Sequence, residues 1–260
     1  MDIEKIFGFC LSGPKDVAAS DIAQASEQPF AVWCRFFAPP EMRDPIGDYE
    51  KLLFRLGKEH ETRFIKEAYP GAERLEFETY EEGFKIALRS MVMGANVITN
   101  VPLFYLPDGI FGVVDVIERV DEGKSIFGEY HYIPKEIKLA TNIKEKHLLQ
   151  TAFYSLLLGK IQKYVPNHFI IVNGENEASK YRFSDYEQML KDDIQLFRDI
   201  RAGKVKPTPT YNGCGWPWES YTNTEAERTM DMSLICKEAN ETRKHKKIKP
   251  APFQITEKKK

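Results

Sequence analysis

Apolar positions recur at two different spacings along this chain, and the changes of spacing mark its elements. Over residues 48–68, Leu52, Leu53, Leu56, His60, Phe64 and Ile65 return at three- and four-residue steps until Pro70-Gly71 closes the run, which predicts a helix. A shorter helical pattern covers residues 80–93. From Asn96 the pattern becomes extended. Residues 97–106, 110–120 and 125–139 are rich in Val, Ile, Phe and Tyr. They are separated by Pro107-Asp108-Gly109 and Asp121-Glu122-Gly123-Lys124, as successive strands of an antiparallel meander would be. Helical spacing returns over residues 144–164 with Leu148, Leu149, Ala152, Phe153, Leu156 and Leu157. A short buried-type strand follows at 168–173, and Ser184 with Glu187 has the spacing of a capping box for a helix to about Ile200. Upstream, a short polar helix near residues 16–25 precedes PFAVWCRFF and a break at Ala38-Pro39-Pro40. Downstream, a linker over 203–212 leads to CGWPWESY and a final polar helix near 224–244. Helices, then a meander, then helix, strand and helix predict a mixed α/β core rather than a Rossmann alternation.

Composition fits that picture. With 42% hydrophobic and 29% charged residues, 260 residues suffice for one moderate globular domain. No apolar run approaches the length of a membrane span. The opening MDIEKIFGF carries acids and no long apolar stretch, so a cytoplasmic location is expected. The net charge of −2 is unevenly spread: residues 243–260 carry +7, which leaves −9 for the rest. That tail is either a solvated terminus or a phosphate-contacting arm.

The candidate chemistry lies on the meander and the helix after it. Glu136 and Lys138 stand two apart at the end of a predicted strand, so both side chains emerge on one face. A carboxylate beside a lysine suits a hard divalent cation with an ammonium that steadies a developing phosphorane charge. Asp115 interrupts an apolar run (FGVVDVI), where a carboxylate is costly unless it is paired or metal-bound. Gln150 and Tyr154 share one helical face, and His60 sits on the apolar side of its helix. Taken singly, each has an ordinary reading as a salt bridge, an edge-strand charge, a core histidine or a packing aromatic.

Their order along the chain is more specific. Gly57–His60 (G-x-x-H), Gly112–Asp115 (G-x-x-D), Glu136–Lys138 (E-x-K) and Gln150–Tyr154 (Q-x-x-x-Y) resemble the RecB-like branch of the PD-(D/E)XK nuclease superfamily over roughly residues 20 to 240. Within it, the similarity runs to helicase-associated RecB-family nucleases and more distantly to the CRISPR-associated exonucleases. The resemblance implies an α/β, restriction-endonuclease-like mixed sheet flanked by helices, in a nuclease domain spanning 1–242 before a basic tail at 243–260. It implies Mg²⁺ or Mn²⁺ on Asp115, Glu136 and the backbone carbonyl of Ile137, with His60 as a further ligand favouring manganese. Lys138 would then assist the attacking water, while Gln150 and Tyr154 position DNA or that water. The implied activity is hydrolysis of single-stranded or end-bearing DNA in repair, recombination or CRISPR-related processing, with a helicase as a possible partner. The alternative is a non-catalytic DNA-binding or adaptor module of a helicase–nuclease complex. A third reading is a structural metalloprotein built on the cysteines and His60.

Many members of the branch carry four cysteines for an iron–sulfur cluster. Here only Cys34 and Cys214 match, and Tyr211 and Ser220 occupy the places of two others. An iron–sulfur cluster is therefore not expected, the segment 203–242 reads as a degenerate cluster region, and Trp216, Trp218 and Tyr221 are candidates to fill the gap apolarly. Cys10 and Cys236 lack supporting spacing.

Register sets one further expectation. A plain hairpin turning at Glu122-Gly123 would set Asp115 opposite Tyr130 rather than Glu136. Pro134 cannot donate to a ladder. A bulge or irregular excursion around 128–135 is therefore expected, failing which Glu129 competes with Glu136 as the second carboxylate.

Overall fold

The structure, a computed structural model, describes residues 2–231. Its centre is the expected meander: β3 (Val97–Tyr105), β4 (Ile110–Val120) and β5 (His131–Ile137) pair consecutively and antiparallel. β6 (His168–Val172) joins β5 in parallel and β7 (Ala178–Arg182) closes that side antiparallel. Two short strands complete seven among the described residues: β1 (Val17–Ala18) parallel to β4, and β2 (Glu73–Arg74) parallel to β3. The mixed sheet is flanked by eight helices among the described residues.

Most of the helices lie over one face. α1 (Ile3–Cys10), α2 (Ala19–Glu27), α5 (Tyr80–Met93), α6 (Glu145–Gln162) and α7 (Glu187–Arg201) share the main core with the sheet. α6 puts Leu149, Phe153, Leu157, Leu158 and Ile161 into it. α4 (Asp48–Ala68) crosses the other face, where Ile65 and Phe64 pack on Val116, Ile137 and Val172. At its C-terminal end, Tyr69 and Lys135 both hydrogen-bond Glu118, which fixes the helix to β4 and β5. α3 (Pro29–Phe37) and α8 (Glu219–Arg228) form a smaller aromatic cluster at one end.

Several sequence expectations change in detail. PFAVWCRFF is a helix, α3, begun by Pro29 at its first position. The Ser184/Glu187 capping box does not form, because residues 183–185 make a 3₁₀ turn in which Ser184 hydrogen-bonds Asp185, and α7 starts only at Glu187. Among the described residues the last helix is α8, which starts at Glu219, earlier than expected. The rest of 224–244, Cys236 and the basic tail lie outside the described residues.

The excursion before β5 exists, but upstream of its expected place. Residues 121–130 leave the ladder and β5 is regular from His131 to Ile137, with Val120 opposite His131 and Val116 opposite Lys135. A tight Ser125–Gly128 turn folds the excursion back. It is pinned by Tyr130 Oη donating to the Met91 carbonyl (2.8 Å) and by the Ile126 N–H donating to the Gln162 carbonyl (2.9 Å). Pro134 costs no ladder bond. Lys138 N–H points at β6, as even-numbered residues of β5 do, and Pro134 precedes the first β5–β6 pair, Lys135 with Ile170. Just before it, the buried Gln162 side chain stands in for the missing neighbour strand. It accepts from the Tyr132 N–H (2.8 Å) and donates to the Tyr132 carbonyl (3.0 Å).

No helix among the described residues is long and apolar enough to cross a membrane.

Candidate active site

The site begins with a defect in the sheet. Ile98 and Val101 of β3 both lie in the main core, as do Val114 and Ile117 of β4, although the members of each pair are three residues apart. Pleat alternation therefore slips once on each strand, at Asn100 and Asp115, which drop out of the ladder between Thr99–Val116 and Val101–Val114. Asn100 absorbs the slip with φ +59°, and its Nδ2 donates to the Leu75 carbonyl at 3.2 Å. Past Val116–Lys135, β4 and β5 separate, and the Asp115 carboxylate fills the opening. Its Oδ2 accepts the Ile137 N–H at 2.8 Å, a group that a continued register would have paired with Val114. The carbonyl of a strand residue leaves on the same side as its N–H, so the Ile137 carbonyl also faces this opening.

Four more candidates form one chain of contacts on the α6 face. Lys138 Nζ donates to Glu136 Oε1 (2.8 Å) and to Gln150 Oε1 (2.9 Å). Gln150 Nε2 donates to Tyr154 Oη (3.4 Å), and Tyr154 Oη donates to the Val113 carbonyl (2.6 Å), two residues before Asp115. Gly112 makes room for this. A Cβ there would stand 2.9 Å from Tyr154 Cε1 and 3.1 Å from Ala19 Cβ. E-x-K and Q-x-x-x-Y are thus wired together through the ammonium of Lys138. Glu129 is exposed and paired with Lys124, so it is not the second carboxylate.

Charge in this pocket is concentrated. Burial, and then the repulsion of Glu136 and Glu61, push the Asp115 carboxyl well above the usual range, against the Ile137 N–H and Lys138. Burial pulls Lys138 down, but Glu136, Asp115 and Glu61 outweigh it and the ammonium is raised. Tyr154 is likewise raised, by burial and then Glu136, so its hydroxyl stays protonated. Glu136 Oε2 is buried with no hydrogen-bond partner. Two carboxylates, one carrying an unpartnered buried oxygen, beside a strand carbonyl are the oxygen donors that a hard divalent cation takes up.

His60 is buried on α4 with Nδ1 3.5 Å from Arg63 Nη2 and with Nε2 unpartnered. Among the described residues, no three His, Cys, Asp or Glu side chains assemble into a metal cage, so His60 is not gathered with Asp115 and Glu136 into one. Its neighbour Glu61, which the sequence reading passed over, is the α4 carboxylate whose charge reaches both Asp115 and Lys138. Glu61 also pairs with Lys58 at 2.9 Å. The signal was available: Glu61 lies one turn after Gly57 on the half of α4 that turns toward the sheet.

Cys34 and Cys214 do come together, in a buried apolar cluster with Phe30, Ala31 and Trp218, and with Thr222 beside both thiols. Burial, and then Cys214, push the Cys34 thiol up to about 12. Stacked Phe30 and Tyr221 rings, with Trp218 edge-on to Tyr221, fill the rest of the cluster. Trp216 does not join them. It packs against Phe54 of α4, and its Nε1 donates to the Asp44 and Pro45 carbonyls.

No family model matches this chain, and no curated protein matches it. Among solved structures, the crystal structure of SSO0001 is similar at 17% identity over 90% of this chain and 93% of that one, with a TM-score of 0.29, a likeness too loose to carry fold or function across.

Proposed function

We propose that the chain is a metal-dependent deoxyribonuclease of the RecB-like kind, its sheet the restriction-endonuclease-like one, acting on single-stranded or end-bearing DNA. The observation that carries the reading is Lys138, held between Glu136 Oε1 and Gln150 Oε1 next to the carboxylate of Asp115. A half-buried ammonium fixed by two acceptors keeps a third N–H for a phosphate oxygen or a water. Raised rather than lowered, Lys138 serves as a fixed positive charge and not as a proton acceptor. Tyr154, committed to the Val113 carbonyl, orients Gln150, and Gln150 in turn orients Lys138.

Asp115, Glu136 and the Ile137 carbonyl would hold Mg²⁺ or Mn²⁺. A bound cation supplies Lewis acidity at the scissile phosphate and a more acidic water. Neutralising the carboxylate pair also removes the repulsion between Asp115 and Glu136.

The test compares end-labelled and circular DNA, single- and double-stranded, with Mg²⁺ and with Mn²⁺. Wild type should degrade DNA, whereas Asp115→Ala and Lys138→Ala should not. Activity retained by both variants, or none in wild type with either metal, overturns the reading. DNA binding without cleavage, together with no calorimetric Mn²⁺ site dependent on Glu136, would make the chain the binding module of a helicase–nuclease complex instead.

A further inference from the structure

A cavity of about 320 Å³ adjoins the catalytic network on the side away from Lys138, within the size range of small-ligand pockets. Gly112, Val113 and Tyr154 form its inner wall, so its floor is the far end of the Lys138–Gln150–Tyr154 chain. The outer wall is aromatic. Phe104 and Phe111 stack at 6.1 Å with planes 9° apart, and Tyr80 stands at the rim 56% exposed. Over those rings lies one ammonium, Lys15 Nζ, 5.0 Å from the Phe104 centroid and 5.8 Å from that of Phe111. Its ion pair is with Glu81 at 2.7 Å, both side chains more than two-fifths exposed. Such a surface pair contributes little, so an incoming anion can displace it.

Phe104 is buried, at 2% exposed, and only backs Phe111. Aromatic surface beside a single cation is the chemistry that recognises a nucleotide taken out of a duplex: a base face on Tyr80 and Phe111 and its phosphate on the ammonium. A paired base keeps its faces covered by its neighbours in the stack and has no such access. We infer that this pocket, built by Lys15, Tyr80 and Phe111, binds one unpaired nucleotide of a DNA strand next to the cleavage centre and so selects single strands over duplex. The choice of DNA rests on the nuclease reading; the pocket and its chemistry do not. Gly112 belongs to the same device, since any side chain there would push Tyr154 and close the inner wall.

The test is fluorescence anisotropy of a labelled oligo-dT, the same strand with abasic sites, and a hairpin duplex, all in EDTA so that no cleavage occurs. Tyr80→Ala and Lys15→Ala alter exposed side chains and leave the core intact. Each should weaken oligo-dT binding by about ten-fold or more while duplex affinity stays unchanged. The abasic strand should bind wild type as weakly as oligo-dT binds Tyr80→Ala. Oligo-dT bound equally by wild type and both variants, or not bound at all, overturns the inference. Because the readout is binding without metal, the two readings fail separately. A protein that selects oligo-dT through this pocket but cuts nothing refutes only the nuclease reading. One that cuts DNA with both variants binding like wild type refutes only the pocket.

Discussion

Asp115→Asn should make the metal-free protein more stable while destroying its response to metal. Asparagine keeps the shape and an oxygen that can accept the Ile137 N–H, now 2.8 Å from Oδ2, so the splayed strands keep their bridge. What it removes is a carboxylate raised by burial and by Glu136 and Glu61. A carboxyl raised on folding binds its proton more tightly in the folded state. Its contribution is therefore most favourable below the unfolded value of 3.8 and is lost as pH rises toward the folded value. At pH 7 the cost cannot exceed that of protonating a free carboxylate, about 4 kcal/mol. Relaxation of the site takes part of this, and at about 2–4 °C per kcal/mol for a chain of this size the expected gain in Tm is about 3–8 °C. The assay is thermal unfolding in EDTA from pH 4 to pH 8, repeated with Mn²⁺ at the upper end. The gain of Asp115→Asn should shrink as pH falls toward 4. Mn²⁺ should raise the Tm of wild type and leave the variant unmoved. A variant less stable than wild type in EDTA at pH 7, or a difference that does not change with pH, refutes the account of Asp115 as a repelled carboxylate.

Other outcomes follow from the same contacts. Gln150→Ala removes both the Lys138 acceptor and the Tyr154 donor, and should cost about 10–100-fold in cleavage rate, read by single-turnover kinetics, with Tm nearly unchanged. Glu61→Gln removes a charge that raises Asp115, so the acid limb of the pH–rate profile should move to lower pH; an unmoved limb would exclude Glu61 from the site. Gln162→Leu strands the Tyr132 N–H and carbonyl in the core and should destabilise by about 2–4 kcal/mol in urea unfolding. With Cys34 pushed up to about 12 by burial and then Cys214, thiol titration of the native protein should be slow, and iron analysis should find no stoichiometric iron.

The elements whose apolar spacing is sustained were legible from the chain alone. α4, α5, α6 and the first two meander strands appear where periodicity put them, because a face that must be buried dictates its own repeat. The third meander strand keeps only 131–137 of the expected 125–139. α1, β2 and β7 were not legible. Eight residues or fewer hold too little pattern, and β7 at the sheet edge alternates exposed and half-buried residues without a core-facing signature. The same limit placed the excursion too late: sequence showed that residues had to leave the ladder before Glu136, but which ones left was fixed by the Tyr130–Met91 and Ile126–Gln162 hydrogen bonds, between residues far apart in the chain.

The sequence by itself marked Asp115, Glu136, Lys138, Gln150 and Tyr154 as candidates and determined that Glu136 and Lys138 share a face, since strand geometry makes residues two apart neighbours. It also marked Asp115 as anomalous, through the cost of a carboxylate in an apolar run. Only the tertiary structure decided that Asp115 sits at a slip in the pleat, where two strands part and leave an N–H for it to hold. Only there does Lys138 reach Gln150, and does Glu61 rather than His60 bring its charge to the carboxylates from α4. The physical reason is that these relations depend on where strands separate and helices cross, and that geometry is set by the packing of the whole sheet rather than by any local pattern.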